Sequence, residues 1–179
     1  MAKFNLGKTL AYVLRHNPES LNLTLDEHGW ADIDALAEGI SKIHPTTKDM
    51  ILECVRLDGK GRYAVSDDGN KIRARQGHSL SVDAELEKRE PPEILYHGTA
   101  EKFVCSILQD GLLSMSRLFV HLSWDKQTAL SVGSRHGKPR VFAVRASDMA
   151  KDGYVFYLSE NNVWNTKFVP KEYLRLIED

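Results

Sequence analysis

The sequence has only two cysteines, almost no net charge and no long apolar stretches. Its two cysteines, Cys54 and Cys105, lack the CxxC spacing of metal and redox sites, so we expect buried free thiols and a reducing, cytoplasmic compartment. No apolar run approaches the roughly 20 residues that a membrane-spanning helix needs. The first residues, MAKFNLGKTL, lack the apolar core of a signal peptide. We therefore expect neither a membrane protein nor a disulfide-rich secreted one.

The protein has little net charge, because its 24 Lys and Arg residues almost balance its 25 Asp and Glu residues. Residues 1–90 hold 13 basic against 15 acidic residues, so these totals do not indicate a nucleic-acid partner. An anionic partner would have to bind at a local cluster. One such cluster occurs between residues 59 and 79, where two acidic residues accompany five basic ones: Lys60, Arg62, Lys71, Arg73 and Arg75.

Residues 1–80 have the pattern of three helices followed by a β-hairpin. Apolar side chains recur at helical spacing in three segments, and Asp32 is a plausible N-cap of the second. Two short segments with strand composition follow and are separated by turn residues. The helices are predicted at residues 5–16, 32–40 and 46–57, and the strands at residues 62–66 and 71–75. This order is typical of a winged helix, which binds nucleic acid or another protein.

Residues 81–92 are acidic and end in Pro-Pro, which predicts a linker. In residues 93–179 strands dominate and two helices interrupt them, which indicates a compact second lobe. Strands are predicted at residues 93–99, 118–123, 140–146, 153–159, 163–169 and 173–178, and helices at residues 100–111 and 125–137. The predicted fold class is α+β, with a winged-helix-like lobe followed by a mixed α/β lobe.

Three arginines occupy notable positions. Arg15 stands beside His16 where the first predicted helix meets a proline, Arg62 opens the hairpin, and Arg117 lies between a helix and a strand. A guanidinium group keeps its charge and presents a planar fork of donors that suits phosphate. Each arginine taken alone is more often a solvated surface residue. Spacing along the chain does not show that the three converge.

The segment RARQGHS closes the basic cluster. Gly77 allows backbone N–H groups to approach a ligand, and the two residues after it can donate hydrogen bonds. The segment is equally compatible with a basic wing tip that runs into a turn. Its candidate phosphate- or RNA-binding residues are Arg73, Arg75, Gln76, Gly77, His78 and Ser79.

Two short segments of the second lobe carry histidine. YHGT, residues 96–99, ends a predicted strand, where glycine permits close backbone approach and the polar residues suit a pocket floor. His121, within FVHLS, is on pattern alone more often a core residue. Glu160 is a candidate catalytic carboxylate, but a turn residue is at least as good an interpretation. No histidine or cysteine pair has metal spacing, so we predict no metal.

Taken together, these segments resemble the RNA 2′-phosphotransferase family, also called tRNA 2′-phosphotransferase. The resemblance covers nearly the whole chain, and six short landmarks occur in the family's order. They are LRH at 14–16, KGRY at 60–63, RARQGHS at 73–79, LYHGT at 95–99, MSRLFVHLS at 115–123 and SENNVW at 159–164.

The resemblance implies a winged-helix lobe that binds RNA and an ADP-ribosyltransferase-like lobe that binds NAD+ as a consumed co-substrate. The implied reaction removes an internal 2′-phosphate from spliced tRNA by way of RNA-2′-phospho-ADP-ribose. Its products are RNA with a 2′-OH, ADP-ribose 1″,2″-cyclic phosphate and nicotinamide. The family's catalytic Arg-His-Arg-Arg set carries over to Arg15, His16, Arg62 and Arg117, with Arg73 and Arg75 as competitors for the position of Arg62.

The same resemblance implies an NAD+ pocket lined by Tyr96, His97, Gly98, Thr99, His121, Ser123 and Val163. Many protein-modifying ADP-ribosyltransferases have a catalytic glutamate at the position that the resemblance assigns to Val163. The absence of this glutamate suits a phosphate acceptor. If Glu160 holds that position instead, a different acceptor becomes possible. Two alternatives remain open: an enzyme that caps a terminal nucleic-acid phosphate, and a non-enzymatic winged-helix regulator that senses NAD+. We expect a monomer.

Overall fold

The computed structural model describes residues 4–82 and 86–177 of the chain. The chain separates into two compact units, residues 1–85 and residues 86–179. Residues 83–85 of the predicted linker and residue 178 of the last predicted strand lie outside the described residues. Residues 86–92, which were also predicted as linker, belong to the second unit.

Each helix of the first unit begins at a polar side chain that caps a backbone N–H group. Asp32, the predicted N-cap, accepts a hydrogen bond of 2.8 Å from the backbone N–H of Ala35. Asn5 and Thr47 cap the other two helices in the same way. These caps satisfy donors that a helix leaves unpaired at its start. The helices are α1 (Leu6–His16), α2 (Ile33–Ser41) and α3 (Lys48–Arg56), which confirms the three predicted ones.

An antiparallel sheet completes the first unit within residues 4–82. Its strands are β1 (Ala31–Asp32), β2 (Tyr63–Val65) and β3 (Lys71–Ala74), in the order β1-β3-β2. The predicted hairpin is β2 and β3, and β1 was not predicted because two residues carry no strand pattern. Apolar side chains from the helices and the sheet form one core, which includes Leu10, Leu14, Ile33, Leu36, Ile40, Ile51 and Ile72.

The second unit combines antiparallel sheets with short helices over residues 86–177. Its strands are β4 (Glu87–Lys88), β5 (Ile94–Ala100), β6 (Leu112–Leu113), β7 (Val120–Leu122), β8 (Pro139–Arg145), β9 (Phe156–Leu158), β10 (Trp164–Thr166), β11 (Phe168–Val169) and β12 (Leu174–Ile177). Its helices are α4 (Val104–Asp110), α5 (Lys126–Gly133) and α6 (Ala146–Lys151). The sheet orders are β4-β9-β10-β7, β11-β6 and β12-β8-β5. This mixture agrees with the predicted α+β class.

Three local features of the second unit differ from the sequence predictions. Helix α6 was missed, because it follows β8 directly and has no side-chain cap at Arg145. The strand predicted over 163–169 divides into β10 and β11 at Lys167. Cys105 was expected to be buried and is exposed, because Ile107 turns the other side of α4 toward the core. Both cysteines are free, and Cys54 is half-buried.

No helix in the described part of the chain is long and apolar enough to cross a membrane. Across residues 4–82 and 86–177, no three His, Cys, Asp or Glu side chains are grouped in a way that could hold a metal ion.

Candidate active-site residues

The last turn of helix α1 contains two basic residues, Arg15 and His16. The helix stops there because Pro18 follows and disfavours helical backbone in the residue before it. Asn17, the C-cap, leaves the helical conformation, and its backbone N–H donates to the carbonyl of Tyr12 at 3.2 Å. Positive charge at a helix C-terminus is also favoured by the helix dipole.

Residues 77–79 lie against this helix end. The backbone N–H of Ser79 donates to the carbonyl of Arg15 at 3.1 Å, and the Oγ of Ser79 lies 3.0 Å from Nδ1 of His16. Gly77 has a φ of +85°, and a Cβ placed on it would lie 3.6 Å from the guanidinium carbon of Arg15. The fold thus brings together two predicted segments that are about 60 residues apart in sequence.

His78 points into the first unit. Its side chain is 2% exposed, and Nε2 has no hydrogen-bond partner among the described residues. Burial, with the nearby charges of Arg15, His16 and Arg73, lowers the pKa of His78 to about 4. The ring is therefore neutral at pH 7. His78 was predicted as a substrate-binding residue, and in this structure its ring is buried in the first unit.

Arg62 is held by a carboxylate that the sequence analysis missed. Its Nε and Nη2 atoms donate to Oδ1 of Asp58 at 2.9 and 2.6 Å, and its backbone N–H donates to Oδ2 at 2.6 Å. Burial alone would raise the pKa of Asp58, but these hydrogen bonds outweigh it and keep that pKa below its ordinary value. The spacing of four residues between Asp58 and Arg62 was the signal in the sequence for this ion pair. Asp58 orients the guanidinium group and leaves about a third of the arginine side chain exposed.

The two arginines that are alternative candidates for the role of Arg62 make contacts inside the first unit. Arg73 is 6% exposed, and its guanidinium carbon lies 4.5 Å from the ring centre of Trp30. Nη1 of Arg75 donates to the carbonyl of Gly61 at 3.2 Å. Gln76 is half-buried. These positions favour Arg62 over Arg73 as a residue that can reach a phosphate, because Arg73 presents almost no surface.

In the second unit, His97 on β5 donates a hydrogen bond to the backbone of β7. Its Nδ1 lies 3.1 Å from the carbonyl oxygen of His121, which can only accept, so the proton of the neutral ring is on Nδ1. Burial lowers the pKa of His97, the hydrogen bond partly offsets this, and the charge of Arg117 lowers it again. His97 is therefore neutral at pH 7, with Nε2 left as an acceptor.

Arg117 extends this series to the loop before β7. Its Nη1 lies 3.1 Å from Nδ1 of His121. An arginine only donates, so Nδ1 of His121 accepts and its proton resides on Nε2. Arg117 and His97 therefore both donate hydrogen bonds to His121, one to its ring and one to its backbone carbonyl. Residues of two predicted segments, MSRLFVHLS and YHGT, come together in this way.

The remaining YHGT residues are positioned by backbone contacts. Tyr96 and Ser123 exchange two backbone hydrogen bonds of 2.8 and 2.7 Å, which join β5 to the end of β7. A Cβ on Gly98 would lie 1.6 Å from the carbonyl oxygen of Ala129 on α5. The predicted close backbone approach at this glycine is made by helix α5, and a contact of Gly98 with NAD+ stays a prediction. Thr99 is buried.

Val163 directly precedes β10, while Glu160 is exposed in the turn before it. Asn165, two residues after Val163, pairs with His121 across β10 and β7. The carbonyl of Val163 accepts hydrogen bonds from the backbone of Ser159 at 3.0 Å and from Nδ2 of Asn165 at 2.8 Å. The strand register thus brings Val163 nearer than Glu160 to the pair that contains His121.

Asn165 was not predicted as a site residue. It is fully buried, and its Oδ1 has no hydrogen-bond partner within the described residues. The bond from Nδ2 to Val163 fixes which amide atom is which, so Oδ1 is the atom left over. The available signal was an asparagine in the middle of a predicted strand, where asparagine is uncommon.

Arginine and histidine side chains held at defined positions in both units are typical of a protein that binds phosphate groups. The model of the family described as RNA 2′-phosphotransferase, Tpt1 / KptA family, matches residues 2–167. The chain therefore belongs to the RNA 2′-phosphotransferase family.

Relatives from distant bacteria match over almost their full length. A probable RNA 2′-phosphotransferase of Flavobacterium johnsoniae is 50% identical over 171 residues, which are 95% of this chain and 94% of the relative. Proteins with the same name from Acaryochloris marina and Fusobacterium nucleatum are each 47% identical. The matches cover 97% and 95% of this chain, respectively, and 96% of each relative.

Proposed function

We propose that the protein is an enzyme that removes a 2′-phosphate from RNA and transfers it to the ADP-ribose part of NAD+. The products are RNA with a 2′-OH, ADP-ribose 1″,2″-cyclic phosphate and nicotinamide. The observation that carries the proposal is that Arg117 and His97 both donate hydrogen bonds to His121, in a chain of the RNA 2′-phosphotransferase family. In this proposal the first unit is a winged-helix RNA lobe and the second an ADP-ribosyltransferase-like lobe.

The first unit supplies groups suited to the RNA phosphate. Arg15 and His16 stand together at the end of α1, and Arg62 is oriented by Asp58. Guanidinium groups held in place stabilise phosphate charge without reorganising during the reaction. His16 is exposed beside Ser79, so it can reach a ligand while Ser79 limits its rotation. We assign the binding of the 2′-phosphate to Arg15, His16 and Arg62, with Arg117 added by the family resemblance.

The second unit has donors and acceptors that fit NAD+. Nε2 of His97 is an acceptor for a ribose hydroxyl, because Nδ1 carries the ring's proton. Arg117 brings a charge-assisted donor for the RNA 2′-phosphate that attacks NAD+. The segment at 96–99, His121, Ser123 and Val163 complete the proposed pocket. NAD+ brings a glycosidic bond to nicotinamide, a leaving group that departs readily.

The reaction balances in two steps. In the first, a 2′-phosphate oxygen forms a bond to C1″ of the nicotinamide ribose as the bond to nicotinamide breaks, which gives RNA-2′-phospho-ADP-ribose. In the second, the ribose 2″-hydroxyl loses its proton as O2″ forms a bond to phosphorus, the bond to the RNA 2′-oxygen breaks, and that oxygen takes up a proton. A phosphate is already a nucleophile, so the first step depends mainly on positioning. The second builds charge on phosphorus, which the arginines stabilise, and His16 is our candidate proton donor.

The test is to incubate the purified protein with NAD+ and an RNA oligonucleotide that carries one internal 2′-phosphate. We expect 2′-OH RNA, nicotinamide and the cyclic phosphate of ADP-ribose in equal amounts. RNA without the 2′-phosphate is the control and should release no nicotinamide. Loss of the 2′-phosphate at the same rate without NAD+ would refute the proposal. Stable attachment of ADP-ribose to a terminal phosphate would favour the capping alternative.

A further inference from the structure

One face of the β4-β9-β10-β7 sheet carries polar and aromatic side chains. Residues paired across antiparallel strands point to the same face. Lys88 pairs with Tyr157, Tyr157 with Asn165, and Asn165 with His121, so these four form one row across the sheet. The opposite face carries side chains of the apolar core, which include Val120, Leu122, Phe156 and Trp164. The row therefore lies on the face that points away from this core.

Phe119 and Lys167 extend this face beside the row. The ring of Phe119 is 5.5 Å from that of Tyr157, centre to centre, and the two planes are inclined at 60°. Nζ of Lys167 lies 4.2 Å from the centre of the Phe119 ring. Both rings are partly exposed, and Lys88 and Lys167 are exposed. We call Lys88, Phe119, Tyr157 and Lys167 the aromatic–lysine face.

The aromatic–lysine face is next to the proposed phosphate-binding residue Arg117 in the sequence. Phe119 lies between Arg117 and His121 in the chain, two residues from each. Asn165, which pairs with both Tyr157 and His121 in the row, is fully buried, and its Oδ1 lacks a hydrogen-bond partner in residues 86–177. An unpaired buried acceptor is uncommon in native proteins and calls for a specific explanation, such as a ligand.

We infer that the aromatic–lysine face binds the nucleotide next to the 2′-phosphorylated one in single-stranded RNA. Aromatic rings offer a stacking surface for any base, and lysines beside them attract the backbone phosphates. The inference rests on the proposed function, because that function assigns the reacting phosphate to Arg117, which is two residues from Phe119 in the chain. It deepens that function by assigning part of the RNA recognition to the second unit, where only NAD+ was expected.

The chain offers a matched control in the same unit. Nζ of Lys102 lies 5.0 Å from the ring centre of Phe103, which is 45% exposed. This pair has the same chemistry as Lys167 and Phe119 but belongs to the turn before α4, away from the row. Any general effect of removing a surface ring or lysine will appear equally at both pairs.

The experiment measures binding of a 2′-phosphorylated RNA pentamer to the full chain without NAD+, using Phe119→Leu, Lys167→Gln, Phe103→Leu and Lys102→Gln. We expect Phe119→Leu to weaken binding at least about fivefold, as loss of a stacked base does. Lys167→Gln should reduce the slope of log affinity against log salt by about 0.7, the value for one contact to single-stranded nucleic acid. Both control variants should bind like the unmodified protein. Thermal melting checks that each variant is folded.

Three results would overturn the inference. The first is equal binding by the Phe119→Leu and Phe103→Leu proteins together with an unchanged salt slope for Lys167→Gln. The second is a Phe119→Leu effect that persists undiminished on a lone nucleoside 2′-phosphate, which has no neighbouring base. The third is a raised KM for NAD+ with unchanged RNA affinity, which would assign the face to the dinucleotide. Failure of the proposed function is separate, because it would show as no nicotinamide release by the unmodified protein.

Discussion

Nη1 of Arg117 donates to Nδ1 of His121, and the two atoms are 3.1 Å apart. This contact fixes the tautomer of His121, while the carbonyl of the same residue accepts from His97. One residue thus links a loop arginine to a histidine on another strand. Replacement of Arg117 should therefore affect both the charge at the site and the orientation of His121.

Arg117→Ala should lower kcat/KM for 2′-phosphorylated RNA by about one to two decades, because a hydrogen bond to a charged group contributes about 1.5–3 kcal/mol. Arg117→Lys should recover only part of the loss, since lysine keeps the charge but lacks the planar fork. Arg135→Ala, which removes an exposed arginine from the same unit, is the control and should retain full activity. Equal activity of the Ala variants at 117 and 135 would exclude Arg117 from the site.

His16→Ala should slow the second step more than the first. If His16 supplies the proton to the departing RNA 2′-oxygen, the variant will release nicotinamide and accumulate RNA-2′-phospho-ADP-ribose. Gel electrophoresis of labelled RNA detects this species by its slower migration. Ser79→Ala, which removes the hydroxyl 3.0 Å from Nδ1 of His16, should show a weaker form of the same behaviour. If product falls and no such RNA accumulates, His16 acts in the first step as well.

Asp58→Asn should destabilise the protein and slow turnover by releasing Arg62. We expect the free energy of unfolding at pH 7 to fall by about 1.5–3 kcal/mol, because the lost contact is charged and partly buried. Glu53→Gln breaks the comparable but exposed pair with Arg56 and should cost clearly less stability than Asp58→Asn.

The effect of Asp58 on stability should depend on pH. Its pKa is lowered in the folded protein, so its contribution is present above the unfolded-state value of 3.8 and is lost as pH falls through the folded value. Denaturant unfolding at pH 7 and below pH 3 measures this. A stability gap between the native and Asp58→Asn proteins that stayed constant over that range would show that the carboxylate is not ionised in the folded state.

His78 should remain neutral in the folded protein until the pH approaches 4. Its folded pKa of about 4 lies below the ordinary value of 6.5, so between these values the unfolded state binds a proton that the folded state does not. Stability should therefore fall as pH decreases through this window, by up to about 1.4 kcal/mol per pH unit from this group. His78→Asn removes the group and should flatten that slope. NMR titration of the ring gives a direct check, and a midpoint near 6.5 would contradict its burial.

Gly98→Ala should prevent stable folding of the second unit. The added Cβ would lie 1.6 Å from the carbonyl oxygen of Ala129. The backbone of β5 fixes the Cβ and the backbone of α5 fixes the oxygen, so neither atom can easily move. Gly59→Ala is the control, because a Cβ there has no neighbour within 4 Å. Circular dichroism melting should show a large loss for the first variant and little change for the second. A folded Gly98→Ala protein with only a raised KM for NAD+ would contradict this steric argument and leave contact with the dinucleotide as the role of the glycine.

Local sequence signals predicted most of the helices and strands. The periodicity of α1 and the carboxylate of Asp32 act over a few residues, so they can be identified before the chain path is known. Helix α6 and strands β1, β4 and β6 were not predicted, because the helix lacks a capping side chain and each of these strands has only two residues. The motifs that resemble the family located candidate residues in both units, since each motif is a short continuous segment.

The sequence by itself determined the order of most elements, the absence of cysteine or histidine metal spacing and the family to which the chain belongs. Only the tertiary structure decided which polar groups meet. It buries His78, places Arg73 on Trp30, leaves Oδ1 of Asn165 without a partner among the described residues and directs Nδ1 of His97 to His121. The reason is physical: burial and hydrogen-bond direction depend on atoms contributed by distant segments. A polar residue therefore has the same local sequence pattern whether the fold exposes it or encloses it.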